Sequence, residues 1–350
     1  MDCHPFMPDS IAETATDIIN SAAEAGMLWR PTARKDTDVS EQSDKSGSTA
    51  DQLTAKYGSV AFQHPPSMTR SRLEEKLSQW DALDQHFTKA SLDFAAGMER
   101  RKVLDKRIRR LVQIGQFTAT KSFGHLEDTL RAAIAGGVPV REALESILLC
   151  QVYAGDTAVA PALDVFTRVA RDLGVLAGLS GGQLPLDGHD RERSLEAERK
   201  TWRAEEENHP RREALMQKYG WLGVSTGIRY RGAHHINLLA HREALDPEWA
   251  GLWLEFTYQR MYSRWILDDK TRVICTVGDT FAVGDFVQAH DHIVEALALG
   301  VSPREIMEVV FLIGPYFGSP RMAASLKVLE GILDKQGRMA EIGNPPPVKK

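Results

Sequence analysis

Cysteine is nearly absent from this 350-residue chain: Cys3, Cys150 and Cys275 lie far apart and never form a Cys-x-x-Cys pair. That excludes a disulfide framework and a paired-thiol redox centre, and it suits a reducing, cytoplasmic setting. Nor does any stretch approach the roughly 18 consecutive apolar residues a spanning helix needs. The N-terminal MDCHPFMPDS lacks the basic segment and apolar run of a secretory signal, so no membrane association is expected. A dense basic stripe is missing too. The formal net charge is −5 and the pI is near 6.1, which gives no footing for a nucleic-acid partner. The short run RRKVLDKRIRR (100–110) is interleaved with Val103, Leu104, Ile108 and Leu111 and reads as a solvated helix face. Alternating β-branched segments are scarce, which leaves helices to build the core.

What the chain has is a repeat. A shift of 163 residues lays Leu104-Asp105 on Leu267-Asp268 and Arg109 on Arg272. Without a gap it also lays GVPVREALE (137–145) on GVSPREIME (300–308), and Tyr153 and Gly155 on Tyr316 and Gly318. Across 104–170, 20 of the 67 columns are identical, well above chance. Upstream, after a one-residue slip, KYG (56–58) matches KYG (218–220) and ALD (82–84) matches ALD (244–246). Within each copy the apolar spacing is helical: Leu104, Ile108, Leu111 and Ile114 recur at steps of three and four, and Pro303 stands where a first helical turn accepts it. The expected architecture is all-α, two tandem helical repeats at 51–175 and 213–336 related by a pseudo-twofold. Residues 1–50 read as a largely disordered tail, with an amphipathic patch at 11–29 that suits a docking helix; 176–212 read as a linker and 337–350 as a second disordered tail.

Each copy runs Leu-Asp-x-x-x-Arg, a helix, Gly-Val-x-x-x-Glu-x-x-Glu, then Tyr-x-Gly. This pattern resembles the carboxymuconolactone decarboxylase family, which includes the AhpD-like alkyl hydroperoxidases. Repeat 2 carries it best, in LDDKTR (267–272), HIVEALALGVSPREIMEVV (292–310) and YFGSP (316–320). The resemblance implies helical subunits that assemble as homo-oligomers and often work without metal or organic cofactor, so no cofactor is expected. The peroxidase branch uses Cys-x-x-Cys-x-x-x-His. Here the histidine falls on His292, while Asp285 and Gln288 hold the cysteine places; in repeat 1 the corresponding residues are Thr129, Ser122 and His125. Without those cysteines there is no thiolate cycle, and peroxidase chemistry of that type is disfavoured.

The candidate site follows from these columns. Asp285, Gln288, His292 and Ala296 share one helical stripe, with small neighbours around His292 and Gln288 placed to orient its ring. His290 and His292 point about 200° apart on a helix and cannot hold one metal together, so no metal site is expected. His292 is the expected acid/base and Arg272 the expected anchor for a substrate carboxylate. Asp285, Gln288, His290, Tyr316 and, from repeat 1, His125 are the expected substrate-binding residues. The tryptophans of repeat 2 suit the core or the wall of an aromatic pocket. The resulting expectation is a cofactor-independent carbon–carbon lyase on a small carboxylated ring or lactone, or a related isomerase or cyclase. The alternative is a non-catalytic helical binding or assembly module.

Overall fold

The computed structural model describes residues 49–58, 70–179 and 209–343; of the expected tail at 1–50, residues 1–48 with the amphipathic patch lie outside them, as does most of the linker, while Thr49 and Ala50 open a helix and not a disordered end. Residues 47–350 belong to one compact unit. Among the described residues the fold is all-α, with no strand. The first half comprises α1 (Thr49–Tyr57), α2 (Arg70–Leu83), α3 (Gln85–Glu99), α4 (Lys106–Ala119), α5 (Phe123–Ala135), α6 (Val140–Leu149), the short α7 (Gln151–Ala154) and α8 (Asp156–Asp172). The second comprises α9 (Arg212–Tyr219), α10 (Trp221–Arg231), α11 (Ala233–Leu245), α12 (Pro247–Leu254), α13 (Asp269–Val283), α14 (Phe286–Ala298), α15 (Pro303–Phe317) and α16 (Ser319–Lys335). The 163-residue shift carries α5 onto α14 and α8 onto α16 end for end, and α6 with α7 onto α15.

Local chemistry sets these bounds. Asp105 accepts from the Ile108 amide at 2.8 Å and its counterpart Asp268 from the Thr271 amide at 2.9 Å, so both central helices start on the same cap. Ser302 and Glu305 close a capping box around Pro303. Gly155 and Gly318, the glycines of the Tyr-x-Gly columns, stand at φ +70° and +87°, where a side chain would strain the turn. Residues 339–341, placed in the tail by composition, form a 3₁₀ turn held by Arg304 Nε at 3.0 Å from the Glu341 carbonyl.

The halves meet along α4 and α13, the most extensively packed helix pair. Contacts there come in exchanged pairs. Arg109 pairs with Glu308, and Arg272 pairs at 3.0 Å with Glu145, so each arginine meets a glutamate of the opposite half; Arg109 also pairs at 2.9 Å with Glu99 of its own half. Both arginines also donate to a carbonyl at the end of the helical stretch upstream, Arg109 to Glu99 at 2.9 Å and Arg272 to Met261 at 3.3 Å. Gly115 leaves room for the Asp279 carboxylate, and its counterpart Gly278 leaves room for Val112 and Gln116. A two-fold-like interface produces this reciprocity.

Asp279 is the odd member of that crossing. It is fully buried, and among the described residues neither carboxylate oxygen has a hydrogen-bond partner of proper geometry. Burial pushes its carboxyl well above the usual carboxylate range, with Cys150 opposing weakly, so the folded protein keeps the proton. The raised folded-state value means that its contribution to stability is whole below the unfolded pKa near 4. It is then lost as pH rises, at about 1.4 kcal/mol per pH unit, because the unfolded chain ionises and the folded one does not. Asp279→Asn is therefore expected to melt higher than the parent at pH 8 and to close that gap toward pH 4. A lower melt at pH 8 in calorimetry would show that Asp279 works as an anion.

Candidate active site

His292 lies on α14, 2% exposed, where the small side chains of Ala289 and Ala296 let the helix approach its neighbours. Its Nδ1 is 2.8 Å from Oε2 of Glu295, one turn on, and its Nε2 has no hydrogen-bond partner among the described residues. Glu295 is itself 3% exposed and lies 2.5 Å from Arg231 Nε at the end of α10. From Arg231 the charges continue outward to Asp291 at 3.8 Å and to the exposed His234, 3.9 Å from that carboxylate. A carboxylate on Nδ1 fixes the ring's orientation and leaves Nε2 as the working nitrogen.

Tyrosines close the space around it. Tyr153, on the four-residue α7, packs edge-on against the His292 ring with centroids 5.3 Å apart, and its hydroxyl is bonded to that of Tyr262. Tyr262 follows a π-helical stretch, Glu255–Met261, that brings Tyr258 and Tyr262 inward. Burial pushes the Tyr262 phenol up to about 12 and the Tyr153 phenol well above its usual range, so both remain neutral hydroxyls able to donate.

The other expected site residues fall elsewhere. Gln288 does not orient His292; Glu295 does, and the amide of Gln288 is instead capped at 3.0 Å by the exposed Asp285. His290 is at the surface, 3.4 Å from Asp291. Arg272 is fully buried and held by Glu145 and the Met261 and Leu267 carbonyls. Burial alone would lower its pKa, but Tyr230 and Glu145 beside it leave it raised. Tyr316 and His125 meet each other instead, ring centroids 5.5 Å apart, over Phe117 in the opposite half. Sequence reasoning missed Glu295, Arg231 and Tyr262. For Glu295 a signal existed: repeat 1 has Thr129 for His292 and Ala132 for Glu295, so both members of the pair differ together.

Cys150 and Cys275 are buried, and desolvation holds both thiols protonated well above their ordinary range. Among the described residues no group of His, Cys, Asp and Glu is arranged to hold a metal ion, and no helix is long and apolar enough to cross a membrane.

Residues 247–331, from α12 to most of α16 and including the His292–Glu295 pair, match the model of the carboxymuconolactone decarboxylase family. An uncharacterized 15.0 kDa protein of the nqo9–nqo10 intergenic region in Paracoccus denitrificans is 30% identical over 92 residues, 26% of this chain and 69% of that protein. The chain belongs to the carboxymuconolactone decarboxylase family. As a member of this family it departs from the Cys-x-x-Cys pattern at both of its copies, and its family histidine is supported by a glutamate and an arginine rather than by thiols.

Proposed function

We propose that this carboxymuconolactone decarboxylase family protein is a cofactor-independent lyase acting by proton transfer on a small carboxylated, unsaturated lactone or ring, with His292 as the acid/base. The observation that carries this reading is the buried Nε2 of His292, which has no hydrogen-bond partner among the described residues while Glu295 holds Nδ1. An unsatisfied buried polar atom costs about 1–3 kcal/mol, which a substrate's polar group offsets. In the reaction the carbon–carbon bond to the carboxylate breaks, CO₂ leaves, and the electron pair passes into the ring carbonyl as an enolate. Protonated His292 returns a proton to carbon, and the Tyr153 and Tyr262 phenols and Arg231 stabilise the negative charge. Arg272, neutralised by Glu145, serves the fold in this reading.

The pair is closed to solvent, so entry requires an aromatic side chain to move. Tyr153 is the one placed to do so, because α7 is a single turn between Cys150 and the positive-φ Gly155. The test is to follow carboxymuconolactone by absorbance and released CO₂ in D₂O. One deuterium is expected at the carbon that lost the carboxyl group, with turnover unaffected by chelators. Absence of turnover on this and on other unsaturated lactone acids would leave the assembly-module reading.

The protein is also proposed to work as a homo-oligomer. Leu245, Trp249, Leu252 and Phe256 remain exposed at helical spacing along the end of α11 and α12, and their counterparts Leu83, Phe87 and Phe94 are exposed too. Repeated apolar stripes of this kind suit subunit contacts.

A further inference from the structure

In the first half Leu53, Leu73, Leu77 and Leu92 are buried together between α1, α2 and α3. The 162-residue offset of this region lays those columns on Leu215, His235, Leu239 and Leu254, all of them buried. Three leucines are thus kept and the fourth is exchanged for an imidazole. α10 makes room for it: the His235 ring lies across Gly227, where any side chain would collide with it. Trp253 of α12 stacks on the ring at 5.8 Å between centroids, and Tyr258 of the π-helical stretch Glu255–Met261 meets it edge-on at 4.5 Å. His235 is fully buried, and among the described residues neither of its ring nitrogens has a hydrogen-bond partner. Besides the neutral phenol of Tyr258, the ionisable groups that act on it are Arg231 at the end of α10, and Arg242 and His234 on its own helix. All three are cationic when charged. Trp253, the ring best placed to receive a cation, already holds the Arg242 guanidinium 3.6 Å from its centre. A proton on His235 is therefore an unpaired buried charge among cations. Desolvation, with those neighbours adding to it, keeps the imidazole neutral, well below the ordinary histidine range.

We infer that His235 is an acid-released latch of the second half: in mildly acidic solution α11 and the stretch Glu255–Met261 part from α10, the imidazole takes up a proton outside its pocket, and the first half, with Leu73 in that column, stays closed. The sign follows from linkage. The closed state admits only the neutral ring, whereas the open state binds a proton below the unperturbed histidine pKa of about 6.5. Closure is fully supported above that pH and weakens as pH falls through it. Its equilibrium shifts toward the open state about tenfold between pH 7.5 and pH 5.5. The released elements border the proposed reaction centre, because Arg231 holds Glu295 and Tyr258 packs at 5.3 Å on Tyr262. Loss of turnover in acid rests on the proposed function; the release of α11 does not.

The experiment is hydrogen exchange read by mass spectrometry on the full chain at pH 7.5, 6.5 and 5.5, expressed as protection relative to the free-peptide rate at each pH. Segments 233–245 and 247–261 are expected to lose about tenfold in protection from pH 7.5 to pH 5.5, while segment 70–99 changes by less than about twofold. His235→Leu, which copies the first half, is expected to fold and to abolish that loss. His235→Phe keeps a ring over Gly227 and carries the test should the leucine variant fail to fold. His234→Gln, at the exposed neighbour, is expected to show the loss as the parent does. The inference is overturned if the parent keeps its protection at pH 5.5, or if both halves lose it alike. It is also overturned if a folded His235 variant loses protection as the parent does, or if His234→Gln abolishes the loss.

Discussion

His292→Asn is expected to lower turnover of a decarboxylated substrate by roughly 10²–10⁴-fold, the range for loss of a general acid or base. Asparagine keeps a polar atom near Nδ1 for Glu295 but supplies no titratable nitrogen. Its neighbours on the stripe are Ala289 and Ala296, so little packing is lost and the melt should stay within a few degrees of the parent. Glu295→Gln tests the second member. The ring keeps a hydrogen-bond acceptor but loses the carboxylate that holds it in place, so kcat should fall while KM changes little. A fall in kcat at unchanged KM and unchanged melt would separate a glutamate that acts through His292 from a merely structural one. Thr129→Ala, in the matching column of repeat 1, is expected to leave kcat unchanged. Steady-state kinetics beside thermal melts for these variants decide the matter. Normal turnover in His292→Asn would refute the assignment of chemistry to this pair.

The largest stability loss is expected at the exchanged ion pairs. Glu308 is fully buried and accepts from the amides of Val103, at 2.6 Å, and Leu104, at 3.1 Å, besides pairing with Arg109. Glu308→Ala strips the buried guanidinium of Arg109 of one of its two carboxylates, Glu99 at 2.9 Å being the other, and leaves two backbone donors without their acceptor. Breaking a buried pair from one side costs about 3–5 kcal/mol. For a chain of this size that corresponds to a fall in Tm on the order of 10 °C. Glu145→Ala should behave alike, because it strands Arg272 and also frees Arg264, 2.8 Å from the same carboxylate. By contrast Arg107→Ala, whose pair with Glu142 sits near the surface, should cost under about 1 kcal/mol. Thermal melts of the three variants are the measurement. A Glu308→Ala protein that melts like Arg107→Ala would show that the exchanged pairs do not hold the halves together.

The sequence by itself determined the all-helical class and several helix starts. These rest on interactions spanning three or four residues: the Asp105 and Asp268 caps, the Ser302–Glu305 box, and apolar steps of three and four. It also singled out His292, because that position coincides with the histidine of the family pattern and small residues flank it on its helical stripe. Column identity marked Arg109, Arg272, Glu145 and Glu308 as doubled, but it carried no information on whether each arginine finds a glutamate in its own copy or in the other. Only the crossing of α4 and α13 decided that the pairs are exchanged and that Arg272 is enclosed. Arg231 reaches Glu295 from a helix 64 positions earlier, and Tyr153 covers His292 from the opposite repeat. A hollow of about 270 Å³ beside His125 is likewise lined by Ser91, where the second half has Trp253, and is bounded by Tyr316 of α15 from the other half. Short-range hydrogen bonding and periodicity are written along the chain. Which distant side chains share a buried space depends on how the two halves pack, and only the folded chain settles that.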